Sequence, residues 1–413
     1  MSAFCSVFGQ ILKLFPRSEF AQLVGETGAE RHARGFTSWQ QFVAMLFCQL
    51  GRAHSLREIC QGLASIEGKI NHLGVGSAPS KSTLAYANEH RPWELYQKVF
   101  EKLYARCREI APKHGFRFKN PLLSIDATVI ELCASVFDWA RYKRTKGAVK
   151  LHMILDHNGH LPSFCHISEA RMYDVVVARE VMRFEPGTVI VFDRGYADFN
   201  WFVDLHQRGV FFVTRLKKGI RYSVVEERKV PQRGNIVRDT IVKLTSRKLR
   251  TPSPLLRIVE YIDETGRTFR FLTNNLRFGA TTIAAIYKQR WQIELFFKAL
   301  KQNLKIKTFV GVSANALQTQ VWTALITILI LRYLKLKASF GWSLSNLVAL
   351  LRFNLFAYRD LWAWLDAPFS PPPEPLAVQL PLTWTAAEGS DPLAPTNPPK
   401  KPAISPSLSP AFS

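Results

Sequence analysis

Two short apolar runs, each ending on an aspartate, constrain this chain more than any other feature. Leu122-Leu123-Ser124-Ile125-Asp126 and Thr188-Val189-Ile190-Val191-Phe192-Asp193 read as strands. Between them Val149, Leu151, Met153 and Leu155 alternate with Lys150, His152, Ile154 and Asp156, the period of a further strand. His157-Asn158-Gly159-His160 is a turn, and residues 161–168 return as the second arm of a hairpin. Helices are expected near 173–183 and over Phe199 to Gln207, with another strand from Gly209 to Leu216. Strand, hairpin, helix, strand, helix, strand describes a mixed α/β sheet.

Different patterns flank this core. The stretch to about Lys119 reads as helical, with Ser38, Ser55 and Ser80 as helix caps and Pro92 opening a longer helix. The breaker Gly74-Val75-Gly76-Ser77-Ala78-Pro79 precedes a short polar helix over 80–91, the outline of a helix-turn-helix. That helix either enters a DNA groove or is one member of an ordinary bundle. Residues 219–275 carry four strand-like runs, Tyr222-Ser223-Val224-Val225, Ile236 to Leu244, Leu255 to Ile262 and Thr268 to Thr273, and form a β-rich insertion. Helix resumes from Thr281 to about Leu304, then over roughly 313–336 and 343–365. The expected segments are therefore 1–119 (helical), 120–218 (core), 219–275 (insertion), 276–367 (core, second part) and 368–413. From Pro368 onward fall 13 of the 23 prolines, so disorder is expected there.

Charge narrows the partner. Lys and Arg total 55 against 32 acidic residues, a formal net charge of +23, which implies a polyanion. Nucleic acid leads; a membrane surface or ribosomal RNA fits the charge alone. The insertion is especially basic, through Lys217, Lys218, Arg221, Arg228, Lys229, Arg233, Arg238, Lys243, Arg247, Lys248 and Arg250. A secretory signal is not expected at the start, and the apolar run Val321 to Leu331 is about half of the roughly 20 residues a membrane helix needs. The scattered cysteines form no Cys-x-x-Cys pair, which fits a reducing cytosol. His152, His157, His160 and His166 gather at the hairpin and read as strand and turn residues.

A third carboxylate stands out downstream. Glu294 lies among Ile293, Leu295, Phe296 and Phe297. Burying it costs several kcal/mol unless it is paired or binds a metal. Arg290, Lys298 and Lys301 stand at i−4, i+4 and i+7, along one helix face with Glu294, and Tyr287 at i−7 completes the stripe. A salt-bridge ladder is the plain account of such a stripe.

The spacing Tyr287-x2-Arg290-x3-Glu294-x6-Lys301 resembles the YREK signature of IS4-family transposases in all four residue types, with Trp291 directly after the arginine. Ile125-Asp126-Ala127-Thr128 is similar to that family's first aspartate motif, and Phe192-Asp193-Arg194-Gly195-Tyr196 to its second. The resemblance spans about residues 20 to 365. It implies an RNase H-like (retroviral-integrase-like) catalytic core with a β-rich insertion, an N-terminal helical DNA-binding domain and C-terminal helices. It implies a DDE triad of Asp126, Asp193 and Glu294 holding two Mg²⁺ (or Mn²⁺) ions about 3.5–4 Å apart, Asp126 bridging both. Tyr287, Arg290 and Lys301 would contact DNA phosphates near the cleaved end, with Lys298 and Arg194 as further candidates. Trp291 could stack on an extruded base, although a tryptophan so placed is more often core. The implied activity is cut-and-paste transposition. A dimer on DNA would bind the element's terminal inverted repeats and target DNA, in the bacterial cytoplasm and off the membrane. A DNA-binding regulator or another RNase H-like nuclease is the alternative.

Overall fold

The structure is a computed structural model. It describes residues 5–370 apart from His32, 67–69, 134–140, 144–145, Arg233, 246–249, Lys305 and 307–308. The proline-rich stretch from 371 onward, with the disorder expected of it, lies outside the described residues, as do Arg233, Arg247 and Lys248 of the basic run.

Six helices open the chain: α1 (Val7–Leu12), α2 (Arg17–Thr27), α3 (Ser38–Gly51), α4 (Leu56–Ala64), α5 (Lys81–His90) and α6 (Glu94–Ile110). Ser55 and Ser80 cap α4 and α5 as expected, accepting from the N–H groups of Glu58 and Thr83. The cap of α3 is Thr37 rather than Ser38. Thr37 and Gln40 form a reciprocal capping box, and Ser38 is the first helical residue, buried. A tight helix-turn-helix is not formed: residues 65–80, including a 3-10 turn at Asn71–Leu73, separate α4 from α5.

The sheet follows, from β1 (Leu122–Cys133), β2 (Arg141–Lys143), β3 (Lys146–Asp156) and β4 (Leu161–Glu169) through α7 (Asp174–Glu180) to β5 (Val189–Phe192). Then come α8 (Phe199–Gln207), β6 (Phe211–Arg215), β7 (Tyr222–Glu227), β8 (Ile236–Leu244), β9 (Leu256–Ile262) and β10 (Thr268–Thr273). β3 and β4 form the expected hairpin, β1 is antiparallel to β3, and β1, β5 and β6 run parallel. The central order is β4-β3-β1-β5-β6. The insertion is an antiparallel meander that joins the main sheet: β10 pairs with β6, and β9, β8 and β7 extend the same sheet outward. Its cations are partly neutralised within the fold, by Glu226 and Glu227 for Arg228 and Arg238. Arg257 and Asp239 form a buried fork at 2.7 and 2.6 Å, bridging β9 and β8.

Strand alternation divides the side chains between two faces. Ile125, Ile190 and Phe192 pack under α7 and α8. Leu122, Val189 and Val191 pack under α9 (Ala280–Gln289). Ile130, Leu151 and Met153 join a large core with α3, α6, α10 (Trp291–Asn303), α11 (Ala314–Lys337), α12 (Leu344–Asn354) and α13 (Leu361–Asp366). The N-terminal helices thus share one core with the helix carrying Glu294, and the described residues between 5 and 370 cluster as one compact unit. The helix containing the Val321–Leu331 run is longer than that run. α11 is long and apolar enough by length and composition to cross a membrane, yet 83% of its most apolar window is buried in this core.

The hairpin histidines are structural. His152 Nε2 shares a 2.8 Å hydrogen bond with Ser168 Oγ, and His157 Nε2 a 2.7 Å bond with Ser124 Oγ. Burial holds both rings neutral, pushing His157 down to about 3 and His152 down to about 4. Because the folded pKa lies below the unfolded one, their stabilisation is full above about pH 6.5 and is lost as pH falls toward those values. Acidification from pH 7 to 5 is therefore expected to weaken the fold, with His157 alone accounting for about 1–2 kcal/mol. Urea titrations at both pH values check this: His157→Asn should show the smaller loss, and an equal loss in variant and parent would contradict it.

Candidate active site

Register brings the two strand aspartates together. Ile125 lies opposite Phe192 on the parallel neighbours β1 and β5, so Asp126 and Asp193 stand level at the next position. Asp126, an even-numbered β1 residue like Leu122 and Ile130, faces the α9–α10 side. Its Oδ1 accepts the N–H of Ala127 at 2.9 Å. Asp193 turns the chain out of β5, its Oδ1 accepting from Gly195 N–H at 2.6 Å. Arg194 follows it into solvent.

Glu294 reaches this pair through an arginine. The helix expected over 281–304 is two helices, α9 and α10, meeting at Arg290. Ile293 N–H bonds to the Arg290 carbonyl three residues back, at 3.2 Å, which tightens the turn. Tyr287 and Glu294 therefore sit on successive helices and not on one unbroken face. Arg290 Nη2 donates to Glu294 Oε1 at 2.5 Å, and its Nη1 lies 3.8 Å from Asp126 Oδ2. Glu294 retains about a third of its side-chain exposure and Asp126 about a fifth, 33% and 21%. Glu294 is not enclosed by apolar side chains as its flanking residues suggested, since Leu295 is itself exposed while Ile293, Phe296 and Phe297 turn inward.

The rest of the stripe docks the two helices onto the sheet. Tyr287 packs against Phe271 of β10, ring centroids 4.8 Å apart, with the Arg290 guanidinium 5.8 Å from its ring centre. Lys301 Nζ donates to Thr128 Oγ1 at 2.6 Å and to the Val129 carbonyl at 3.0 Å, tying the far end of α10 to β1. Lys298 is exposed. Trp291 is 56% exposed, which corrects the expectation of a core tryptophan: its position on α10 aligns with Leu295 and Lys298 on the solvent side, away from Ile293, Phe296 and Phe297.

Charge at the site is unbalanced. Burial pushes Asp126 up to about 6, and Glu294 and Asp193 push the same way against Ala127 N–H and Arg290. Tyr196, 1% exposed, has a hydroxyl without a hydrogen-bond partner among the described residues, and its pKa is raised by burial and then by Asp174, Asp126 and Asp193. Sequence reasoning gave no role to Asp174 or to the hydroxyl of Tyr196. The second lies inside the Asp193 motif, whereas Asp174 had no local signal. Three carboxylates are hard oxygen donors of the kind that suits Mg²⁺ or Mn²⁺. Among the described residues no three acidic, histidine or cysteine side chains stand close enough to hold a metal. Arg290 lies between Asp126 and Glu294 instead.

Comparison with known proteins identifies the class. The family model described as "Transposase DDE domain" matches residues 117–330, and one for a domain of unknown function (DUF4372) matches residues 5–76. The chain is 33% identical over 261 residues to "Putative transposase y4zB" of Sinorhizobium fredii, covering 62% of this chain and 71% of that protein. It is 28% identical over 261 residues to "Probable transposase for insertion sequence element IS5377" of Geobacillus stearothermophilus, covering 61% and 67%. A structure of piggyBac transposase in a synaptic complex with hairpin DNA aligns at 12% identity with a TM-score of 0.42, over 88% of this chain and 82% of that one. This chain belongs to the DDE transposase family, enzymes that cleave DNA and transfer its strands.

The contact between Lys301 and Thr128 should carry measurable stability. A double-mutant cycle of Lys301→Met and Thr128→Val, read by chemical denaturation, is expected to give a coupling of about 0.5–1.5 kcal/mol. Strict additivity would show that this tether contributes nothing.

Proposed function

We propose that the chain is a cut-and-paste transposase of the IS4 type, with Asp126, Asp193 and Glu294 as its catalytic carboxylates. One observation carries the reading: two aspartates stand level on neighbouring parallel strands, and a helix-borne glutamate is drawn to them by Arg290. The strand order β4-β3-β1-β5-β6, with helices α7 and α8 in the crossovers, supports an RNase H-like core. On this reading Asp126 and Asp193, joined by Glu294 once Arg290 releases it, would hold divalent cations, Mg²⁺ or Mn²⁺. When bound, such a pair activates an attacking oxygen and stabilises the leaving oxygen in phosphoryl transfer.

The protein's own groups do the positioning. Arg290, freed from Glu294, forks onto a phosphate near the cut, and Lys301 supplies a point charge farther along α10. Tyr287 fixes the height of the α9–α10 junction above β10. Lys298, Arg194 and the exposed Trp291 line the solvent side, where a DNA end would run. Water attack frees a 3′-hydroxyl, and that hydroxyl attacks the opposite strand or the target. The substrate is the element's terminal inverted repeats, held by a homodimer on DNA in the bacterial cytoplasm.

Cleavage of end-containing DNA with Mg²⁺ tests the assignment. Asp126→Asn, Asp193→Asn and Glu294→Gln should each lower cutting by about 100-fold or more, with thermal unfolding little changed. Unimpaired cutting by any of them would remove it from the triad. In the metal-free protein the Asp126 carboxyl should titrate near its raised value of about 6 by carbon NMR. A cation favours the ionised form, so Mg²⁺ should move that midpoint to lower pH; an unmoved midpoint would place the cation elsewhere.

A further inference from the structure

We propose that the outer face of α5, together with Arg31 and Arg34, is the surface that reads the double-stranded sequence of the element's ends. The inference rests on the transposase reading above and adds to it a recognition element.

The helix is built with two unlike faces. Leu84, Ala87 and Asn88 point inward and are buried. Lys81, Ser82, Tyr86 and His90 point outward and are exposed. Tyr86 is 67% exposed, and its ring stacks on that of His90 with centroids 4.0 Å apart. Folding gains little from so exposed a tyrosine, whereas a stacked pair of hydrogen-bonding rings is a rigid probe.

A cleft of about 600 Å³ separates this face from the segment carrying Arg31 and Arg34, both exposed. Arg31 and Arg34 line the bank opposite α5, and exposed Lys81 stands at the start of α5, outside the cleft lining. Of the nearby acids, Glu30 is engaged by the N–H of Ser38, and Glu89 lies on the outer face. The surplus of Arg31, Arg34 and Lys81 favours phosphate beside a polar helix. Ten residues of α5 make a rod of about 15 Å, and a major groove about 12 Å wide admits such a helix. Ser82, Tyr86 and His90 carry donors and acceptors for base edges, and Glu89 can accept from a cytosine amino group. Lys81, Arg31 and Arg34 suit the flanking phosphates.

The mounting of α5 is as informative as its outer face. Gln41 Nε2 donates to Asn88 Oδ1 at 2.9 Å inside the core, and Arg91 donates to Gln41 Oε1 at 3.2 Å. Asn315 of α11 donates to the carbonyls of Asn88 and Arg91 at 2.8 and 2.7 Å. A satisfied buried polar network fixes one orientation where apolar packing alone tolerates several. α11 in turn packs in the same core as α10. The reading helix and the helix bearing Glu294 are thus set on a common support, as an enzyme that must cut at a fixed offset from a recognised sequence requires.

The test uses the full chain and fluorescence anisotropy. The probes are a short duplex from the inverted repeat flanking this coding sequence, a shuffled duplex of equal composition, and the same repeat as a single strand. Tyr86→Ala with Ser82→Ala should lower the preference for the repeat over the shuffled duplex by about tenfold or more. Arg31→Ala with Arg34→Ala should weaken both duplexes and reduce the slope of log affinity against log salt by about 2. All four side chains lie at the surface, and unchanged thermal unfolding verifies the fold. Variants that keep the parent's preference and salt slope, beside a parent that discriminates and cuts, would overturn this inference alone. Preference for the single strand over the duplex would overturn it as well. A parent that neither discriminates nor cuts would overturn the transposase reading, and this inference with it.

Discussion

The structure turns on a charge problem solved by one arginine. Asp126 and Asp193 are forced level by strand register, and Glu294 is brought toward them by a helix that packs on the same face. Three acids in a half-buried cleft repel, and the raised pKa of Asp126 reflects burial first and its acidic neighbours after it. Arg290 relieves that repulsion by touching Glu294 and approaching Asp126, and so joins α10 to β1. Lys301 makes the second join. On the proposed reading, the arginine that neutralises these acids is also the group that would turn to a phosphate once cations take its place between them.

The same economy runs through the fold. The insertion adds strands to the central sheet through β10 and β6 without building a separate body, and its buried Arg257–Asp239 pair locks β9 to β8. Such a pair stabilises little in net terms but is costly to break singly. The N-terminal helices close over α11 from the other side. α11 contacts helices of the amino-terminal region and shares a core with α10, so a displacement of either is felt by the other through close-packed apolar side chains.

Much of this was legible in the sequence because strand and helix periods are local signals. The runs at Ile236–Leu244 and Thr268–Thr273 and the helix at Phe199–Gln207 have the bounds their patterns indicate. Asp126, Asp193 and Glu294 stood out by position within such runs. What stayed hidden depends on pairing between distant segments. The β10–β6 contact, the Asp239 fork and the approach of Lys301 to Thr128 have no local trace. The break at Arg290 was masked by a helical pattern on both sides of it. Trp291 was misjudged because residue type weighs toward burial, while the turn at Arg290 aims it outward. Thr37 displaced Ser38 as cap because Gln40 completes a reciprocal pair with it.

The central claim is that Asp126, Asp193 and Glu294 form one cation site now spanned by Arg290. A crystal of the full chain soaked in Mn²⁺ and read by anomalous scattering tests it most directly. The account predicts anomalous density ligated by Asp126 with Asp193 or Glu294, and a guanidinium withdrawn from Glu294. Saturating Mn²⁺ with no density there, and Arg290 still bonded to Glu294, would contradict it.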